Sequence, residues 1–314
     1  HDSTAARYFL TGAKDRDVIR FRASEQVNQI IAAAARHNAS FVDMQQVFAA
    51  RSAQGLIGNN IMVDHLHPDP TGYYLMAKTF YDAINASGLL QQRNTNFTPN
   101  EQPYFVTDLD WDIGRLKIFE MIHRWPFPEK AVTLADYKPH GDPAAVAIAR
   151  EYLFVDNVWS RAHYKMAEDY LRRQDYARAR REYLAVSVYA PDDPYPYQQV
   201  AKTYEIEKNW NQREAFLQKV LPLSEQKGMI LYQIALAHWQ QKNFDAACQF
   251  MAQALNHPDL NRAEKQNARF YLAGFYADAK NVDMAKRVLV TMLEEDPGFQ
   301  PARAFLQRLN AAHE

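Results

Sequence analysis

Apolar positions along the N-terminal part of the chain recur with a helical period. From Ser24 to Arg36 they fall at Val27, Ile30, Ile31 and Ala34, with Ser24 able to cap the helix and Glu25 suited to its positive end. The turn-like His37-Asn38 leads into Ser40-Phe41-Val42-Asp43, a short β-favouring run that predicts a strand, and Met44 to Ala50 returns to the helical period. Gly55 to Asn60 reads as a loop. Thr71 or Gly72 opens a further helix through Tyr74, Met76, Ala77, Phe80 and Ile84. Helix, strand, helix, loop and helix is α/β grammar, yet one strand cannot bury its own two faces, so this region reads as part of an α/β domain.

From Asn94 to about Pro143 the periodicity weakens and prolines recur, at Pro99, Pro103, Pro126, Pro128 and Pro139, which predicts a connector with one helix over Asp110 to Arg124. Beyond Ala144 the pattern is helical throughout. An apolar residue followed by Ala, with an aromatic or His three positions on, recurs as Met166-Ala167 to Tyr170, Val200-Ala201 to Tyr204, Ile234-Ala235 to His238 and Leu272-Ala273 to Tyr276. Second helices carry small and large apolar pairs, Ala179 and Tyr183, Ala247 and Met251, Ala285 and Leu289. Turns carry Asp175-Tyr176, Asn209-Trp210, Asn243-Phe244 and Asn281-Val282. Small residues let paired helices approach while large ones fill the groove, and each pair leaves an apolar face for the next.

This pattern resembles the tetratricopeptide repeat. Units lie near 160–193, 194–227, 228–265 and 266–299 with a terminal helix beyond; the second has Arg213 where a small residue is usual, and the third is extended through His257-Pro258-Asp259-Leu260. The resemblance implies a groove lined by first helices, presenting Tyr164, Glu168, Gln198, Lys202, Tyr232, Trp239 and Phe270 to a protein or peptide. The same aromatics equally suit packing between helices.

Composition narrows the class of partner. A formal charge of −1 offers no cationic excess for nucleic acid, and 47% apolar with 23% charged residues suits globular cores. Length favours two domains. The single cysteine, Cys248, falls in a helical pattern as a buried filler and allows neither an intrachain disulfide nor a thiolate metal cluster. No apolar run reaches membrane-spanning length. The start, His1-Asp2-Ser3-Thr4, has no initiator Met and nothing signal-like, and reads as that of a fragment or processed piece.

The stretch with most chemistry is Asp64-His65-Leu66-His67-Pro68, then Asp69-Pro70-Thr71-Gly72. An Asp three residues before a His on a turn lets the carboxylate fix the imidazole tautomer and favour the imidazolium of a general base. A metal site needs a third ligand, and His65 and His67 lack the helical His-x-x-x-His spacing, so no metal and no cofactor is implied. Together with Asp17 to Ala23, the following helix and Phe41-Val42-Asp43, this block resembles the end of SGNH (GDSL-like) hydrolase domains fused to tetratricopeptide repeats, over roughly residues 13 to 86.

The resemblance implies a partial three-layer α/β hydrolase domain at 1–93, its N-terminal part missing, a connector at 94–143 and an all-α solenoid at 144–314. It assigns Asp64 and His67 as the catalytic pair, with His65 a neighbour and Asp69 where Asn is common. The family's nucleophilic Ser and its oxyanion donors belong to earlier blocks; Asp2-Ser3 lacks a preceding Gly and strand, so the nucleophile is absent. Arg20 and Arg22 are candidates to meet a substrate anion, and Trp125-Pro126-Phe127 to line the site. The implied function is hydrolysis or transfer of a small acyl group on an ester substrate, with a membrane anchor outside this chain and an extracytoplasmic setting. The alternative is a non-enzymatic repeat scaffold with a degenerate hydrolase domain.

Overall fold

A computed structural model describes residues 3–18, 22–64, 66–88, 106–123, 133–138 and 141–311. The chain divides into two compact units, His1–Pro103 and Tyr104–Glu314. In the first, the described helices are α1 (Ser3–Arg16), α2 (Glu25–Asn38), α3 (Met44–Ala50) and α4 (Pro70–Ala86). The second holds α5 (Asp108–Ile122), α6 (Pro143–Phe154), α7 (Trp159–Arg172), α8 (Tyr176–Tyr189), α9 (Pro194–Ile206), α10 (Trp210–Leu223), α11 (Lys227–Gln240), α12 (Phe244–Leu255), α13 (Arg262–Asp278), α14 (Val282–Glu295) and α15 (Gln300–Ala311).

The α/β expectation is overturned. Among the described residues there is no strand, only one antiparallel bridge between Met62 and Pro68. Ser40–Asp43, expected as a strand, is irregular, and Phe41 is 46% exposed. A strand persists only where neighbours satisfy its backbone groups and cover its side chains, and the described residues offer no such neighbour. The helix signals prevail instead: Ser24 accepts from the Val27 amide to start α2, and Asp43 accepts from the Gln46 amide to start α3. The apolar stripe of α2 is also left open, with Val27, Ile30 and Ile31 exposed; the buried apolar side chains described in this unit are Phe48 and Ile61.

The second unit is an all-helical repeat array, tetratricopeptide-like in its paired helices. The described helices form four pairs, α7–α8, α9–α10, α11–α12 and α13–α14, and α15 follows them. Each turn between paired helices is built alike. Gln174, Lys208, Lys242 and Lys280 adopt the left-handed region, with φ of 61°, 57°, 60° and 61°. The amides that follow bond back to Tyr170, Tyr204, His238 and Tyr276, which closes each first helix. Asp175, Asn209, Asn243 and Asn281 then cap the second helices.

Burial runs from one pair to the next. Ala167, Val200, Ala201, Leu217, Ile230 and Ile234 form one core, Ala235, Met251, Ala268 and Phe275 the following one, and Ala273, Leu289 and Ala302 the last. Such contacts between sequence neighbours are what a repeat array requires. Helices α5 and α6 join the first pair, since Leu109, Leu116, Ala145 and Ala149 share a core with Ala162, Met166 and Tyr170.

Both irregularities in the repeat have a structural cause. Arg213 is buried, donates to the Gln233 carbonyl at 3.1 Å and pairs with Glu205 at 3.4 Å, so its length bridges α10 to α11. Burial lowers its guanidinium from the ordinary value. The extension beyond α12 folds back on α11. Leu260 is buried among Leu231 and Ala254, and Asp259 accepts from the Gly228 amide at 3.0 Å, supplying the cap that Gln226 does not. A Cβ on Gly228 would lie 2.5 Å from the Asp259 carboxylate and 3.1 Å from Leu260, so glycine permits the contact.

Candidate functional site

Asp64 and His67 stand on the loop between Ile61 and α4. The loop is closed by the Val63 amide bonding to the His67 carbonyl at 2.9 Å and the Asp69 amide to the Ile61 carbonyl at 2.9 Å. Within it one Asp64 oxygen accepts from the amides of Leu66 and His67, both at 2.7 Å, and the other meets His67 Nδ1 at 2.8 Å. Those bonds hold the Asp64 carboxyl far below the usual carboxylate range, the His67 amide and ring contributing most. Asp69 caps α4 through the Gly72 amide at 2.7 Å, and Gly72 is needed because a Cβ would meet the Ile61 carbonyl and, at 2.8 Å, Pro68.

The expected pair is therefore formed, but the site around it is not. The His67 side chain is 62% exposed, and among the described residues no hydrogen bond or ion pair joins Arg22 to it. His65, Arg20 and Trp125-Pro126-Phe127 lie outside the described residues. Among the described residues this helical unit has no sheet, and hence no strand ends to carry a nucleophile and oxyanion donors at the imidazole. The hydrolase or acyltransferase reading is corrected on that ground, and an ester substrate loses its chemical basis. Among the described residues no group of His, Cys, Asp and Glu is arranged for a metal, and no helix is long and apolar enough to cross a membrane.

On the repeat array the sequence-predicted residues occupy equivalent places on alternate helices: Tyr164 on α7, Gln198 on α9, Tyr232 on α11 and Phe270 on α13. Ring contacts join α7 to α9 and α11 to α13. Tyr164 meets Tyr195 of α9 edge to face, with centroids 5.1 Å apart, and Tyr232 meets Tyr271 of α13 at 5.8 Å. Tyr195 and Tyr271 are each 40% exposed. Burial pushes the phenols of Tyr164 and Tyr232 up to about 12, so both stay protonated donors. Tyr164 donates to Asp193 at 3.4 Å. Glu168 and Lys202 are exposed, and Trp239 donates to Asp278 at 2.7 Å. Phe270 is covered by Phe299 and by Phe305 of α15.

A third cluster was not anticipated from the sequence. His163, fully buried on α7, meets Glu182 of α8 through Nδ1 at 2.6 Å and Asp110 of α5 through Nε2 at 3.1 Å. Asp110 also accepts from Trp159 Nε1 at 3.0 Å and from the Thr107 amide at 2.8 Å. Burial works against charge on the imidazole, but the two carboxylates outweigh it and raise its pKa to about 9. Signals were present, in a His one helical turn before Ala167 and a Glu on the inner side of α8, but neither names the other.

The sequence matches no family model and no curated protein. Among solved structures it is similar to the crystal structure of MamA, at 18% identity and a TM-score of 0.40, over 47% of this chain and 84% of that one.

Proposed function

We propose that the chain is a non-enzymatic interaction scaffold whose repeat array binds a protein segment across the face formed by α7, α9, α11 and α13. The observation that carries this reading is the pair of tyrosine contacts, Tyr164 with Tyr195 and Tyr232 with Tyr271, which bridge alternate helices and leave two phenol rings open to solvent. Tyrosine supplies broad, stiff contact area with a polar edge, and such residues dominate the energetics of protein interfaces. Gln198, between the two contacts, adds an amide that can donate to and accept from a peptide backbone.

Random-peptide display on the immobilised full chain tests the proposal. Selected peptides should bind at least fivefold more weakly to Tyr195→Ala and Tyr271→Ala, and equally well to His67→Ala. Selected peptides indifferent to both tyrosine variants would remove this face from the reading.

A further inference from the structure

Between α13 and α14, beside the extension of the third unit, lies a cavity of about 300 Å³. Arg262, Lys265, Gln266 and Arg269 line it at the spacing of one face of α13. Opposite them stand Met292 and Glu295 of α14 and its C-cap Asp296, and the extension adds Leu260. We propose that this cavity binds a phosphate monoester, with Arg262 and Lys265 holding the dianion and its carbon group resting against Leu260 and Met292.

The charges around the cavity divide into engaged and free. Glu295 is paired with Arg269, and Asp296 accepts from Gln266 at 2.8 Å and from the Gly298 amide at 3.1 Å. Glu264, on the same turn of α13, accepts from the Asn261 amide at 2.8 Å. Among the described residues the side chains of Arg262 and the half-buried Lys265 have neither an ion pair nor a hydrogen bond. Three positions apart on one helix, they are neighbours of like charge, and an anion between them relieves their repulsion. Two free cations match a phosphate monoester, which carries about −1.5 to −2 at pH 7 and three acceptor oxygens, better than a single carboxylate. The Arg262 guanidinium can meet two of those oxygens at once. The volume falls at the lower end of the range for small-molecule sites, about 300–1,000 Å³, and leaves room for the ester's carbon group on the apolar side.

Calorimetric titration of the full chain with phenyl phosphate tests the site. Phenyl phosphate should bind where phenol does not, and about fivefold more weakly to Arg262→Gln and to Lys265→Gln, each checked for fold by circular dichroism. Glu295→Gln frees Arg269 into the cavity and should tighten binding about threefold, whereas the same charge change at its exposed neighbour, Glu294→Gln, should not. Affinity should fall between pH 7.5 and 5, as the dianion takes up a proton near pH 6. Tyr195→Ala should bind phenyl phosphate as wild type does, so this site and the tyrosine face stand or fall separately. A phosphotyrosine peptide binding tighter than phenyl phosphate would identify a phosphorylated protein segment as the source of the ester, and equal binding a free small molecule. Phenyl phosphate bound no better than phenol, or equally well by wild type and both cation variants, would overturn the proposal. So would equal gains in Glu295→Gln and Glu294→Gln, which would reduce the effect to net charge.

Discussion

Replacing His163 by Ala tests the buried charge cluster that ties α5 to the first repeat. The imidazole bridges Glu182 at 2.6 Å and Asp110 at 3.1 Å, and its rise from 6.5 to about 9 corresponds to about 3 kcal/mol at 1.36 kcal/mol per unit. Removing one member of a buried charge set typically costs 3–5 kcal/mol, because the partners are left uncompensated. Glu182 limits the loss: burial pushes its carboxyl upward, so the charge left behind is neutralised by a proton more readily than that of an ordinary carboxylate. The expected cost is therefore about 3 kcal/mol, the lower end of that range. Amide exchange along α5 is the assay, since an array of this kind need not unfold in one step. At 1.4 kcal/mol per decade, protection around Leu109 and Leu116 should fall about 100-fold.

The sign of the pH dependence is fixed. A histidine whose folded pKa is raised contributes fully below its unfolded value of 6.5 and loses that contribution as pH rises through about 9. The difference between wild type and His163→Ala should be complete at pH 6 and shrink towards pH 9.5. The double variant His163→Leu with Glu182→Leu should be less damaging than the single one, because two buried charges are replaced by packing. Protection within threefold of wild type in His163→Ala, or a difference that grows with pH, would refute the reasoning.

Three further outcomes are expected. Changing Lys208, Lys242 or Lys280 to Gly should each stabilise the array by about 0.5–1 kcal/mol in urea unfolding, since all three sit at positive φ; a loss would show that their side chains outweigh the strain. Gly228→Ala should cost about 1–3 kcal/mol through its clash with Asp259 and Leu260, and Asp259→Ala about 1 kcal/mol through the lost cap; a thermal melt unchanged in both would remove the role given to the extension. Because the Asp64 carboxyl is depressed, its bonds to the Leu66 and His67 amides contribute fully above the usual carboxylate range and are lost only as pH falls well below it. Their exchange protection should therefore persist at pH 4 and vanish in Asp64→Ala, and its loss near pH 4 in the wild type would contradict the assigned bonds.

The repeat was readable in the sequence because its signal is periodic. Apolar-Ala pairs report how closely helices must approach, and each recurrence repeats the register of the last; Asp175, Asn209, Asn243 and Asn281, at the turns of that pattern, each cap a second helix. Helix α5 was assigned to a connector instead of the array, since Trp111, Ile113, Leu116 and Ile118 spread around it instead of following the repeat pattern. The charge cluster was hidden for a related reason. Asp110, His163 and Glu182 are brought together only by the packing of three helices, and no local spacing encodes that meeting.

The Asp-His block misled because its geometry is self-contained. Asp64 is satisfied by two amides and a ring from residues two and three positions on, the Met62–Pro68 bridge closes the loop, and Gly72 lets it rest on the start of α4. All of these bonds fall within a dozen residues and form on a helical frame. A hydrolase site needs more, namely a nucleophile and oxyanion donors delivered to the same imidazole by distant strands. A short motif can therefore form its local bonds on a frame that, among the described residues, holds no sheet. The array's pattern resists that error, because an apolar face repeated along the chain is stable only when the neighbouring pair is present to cover it.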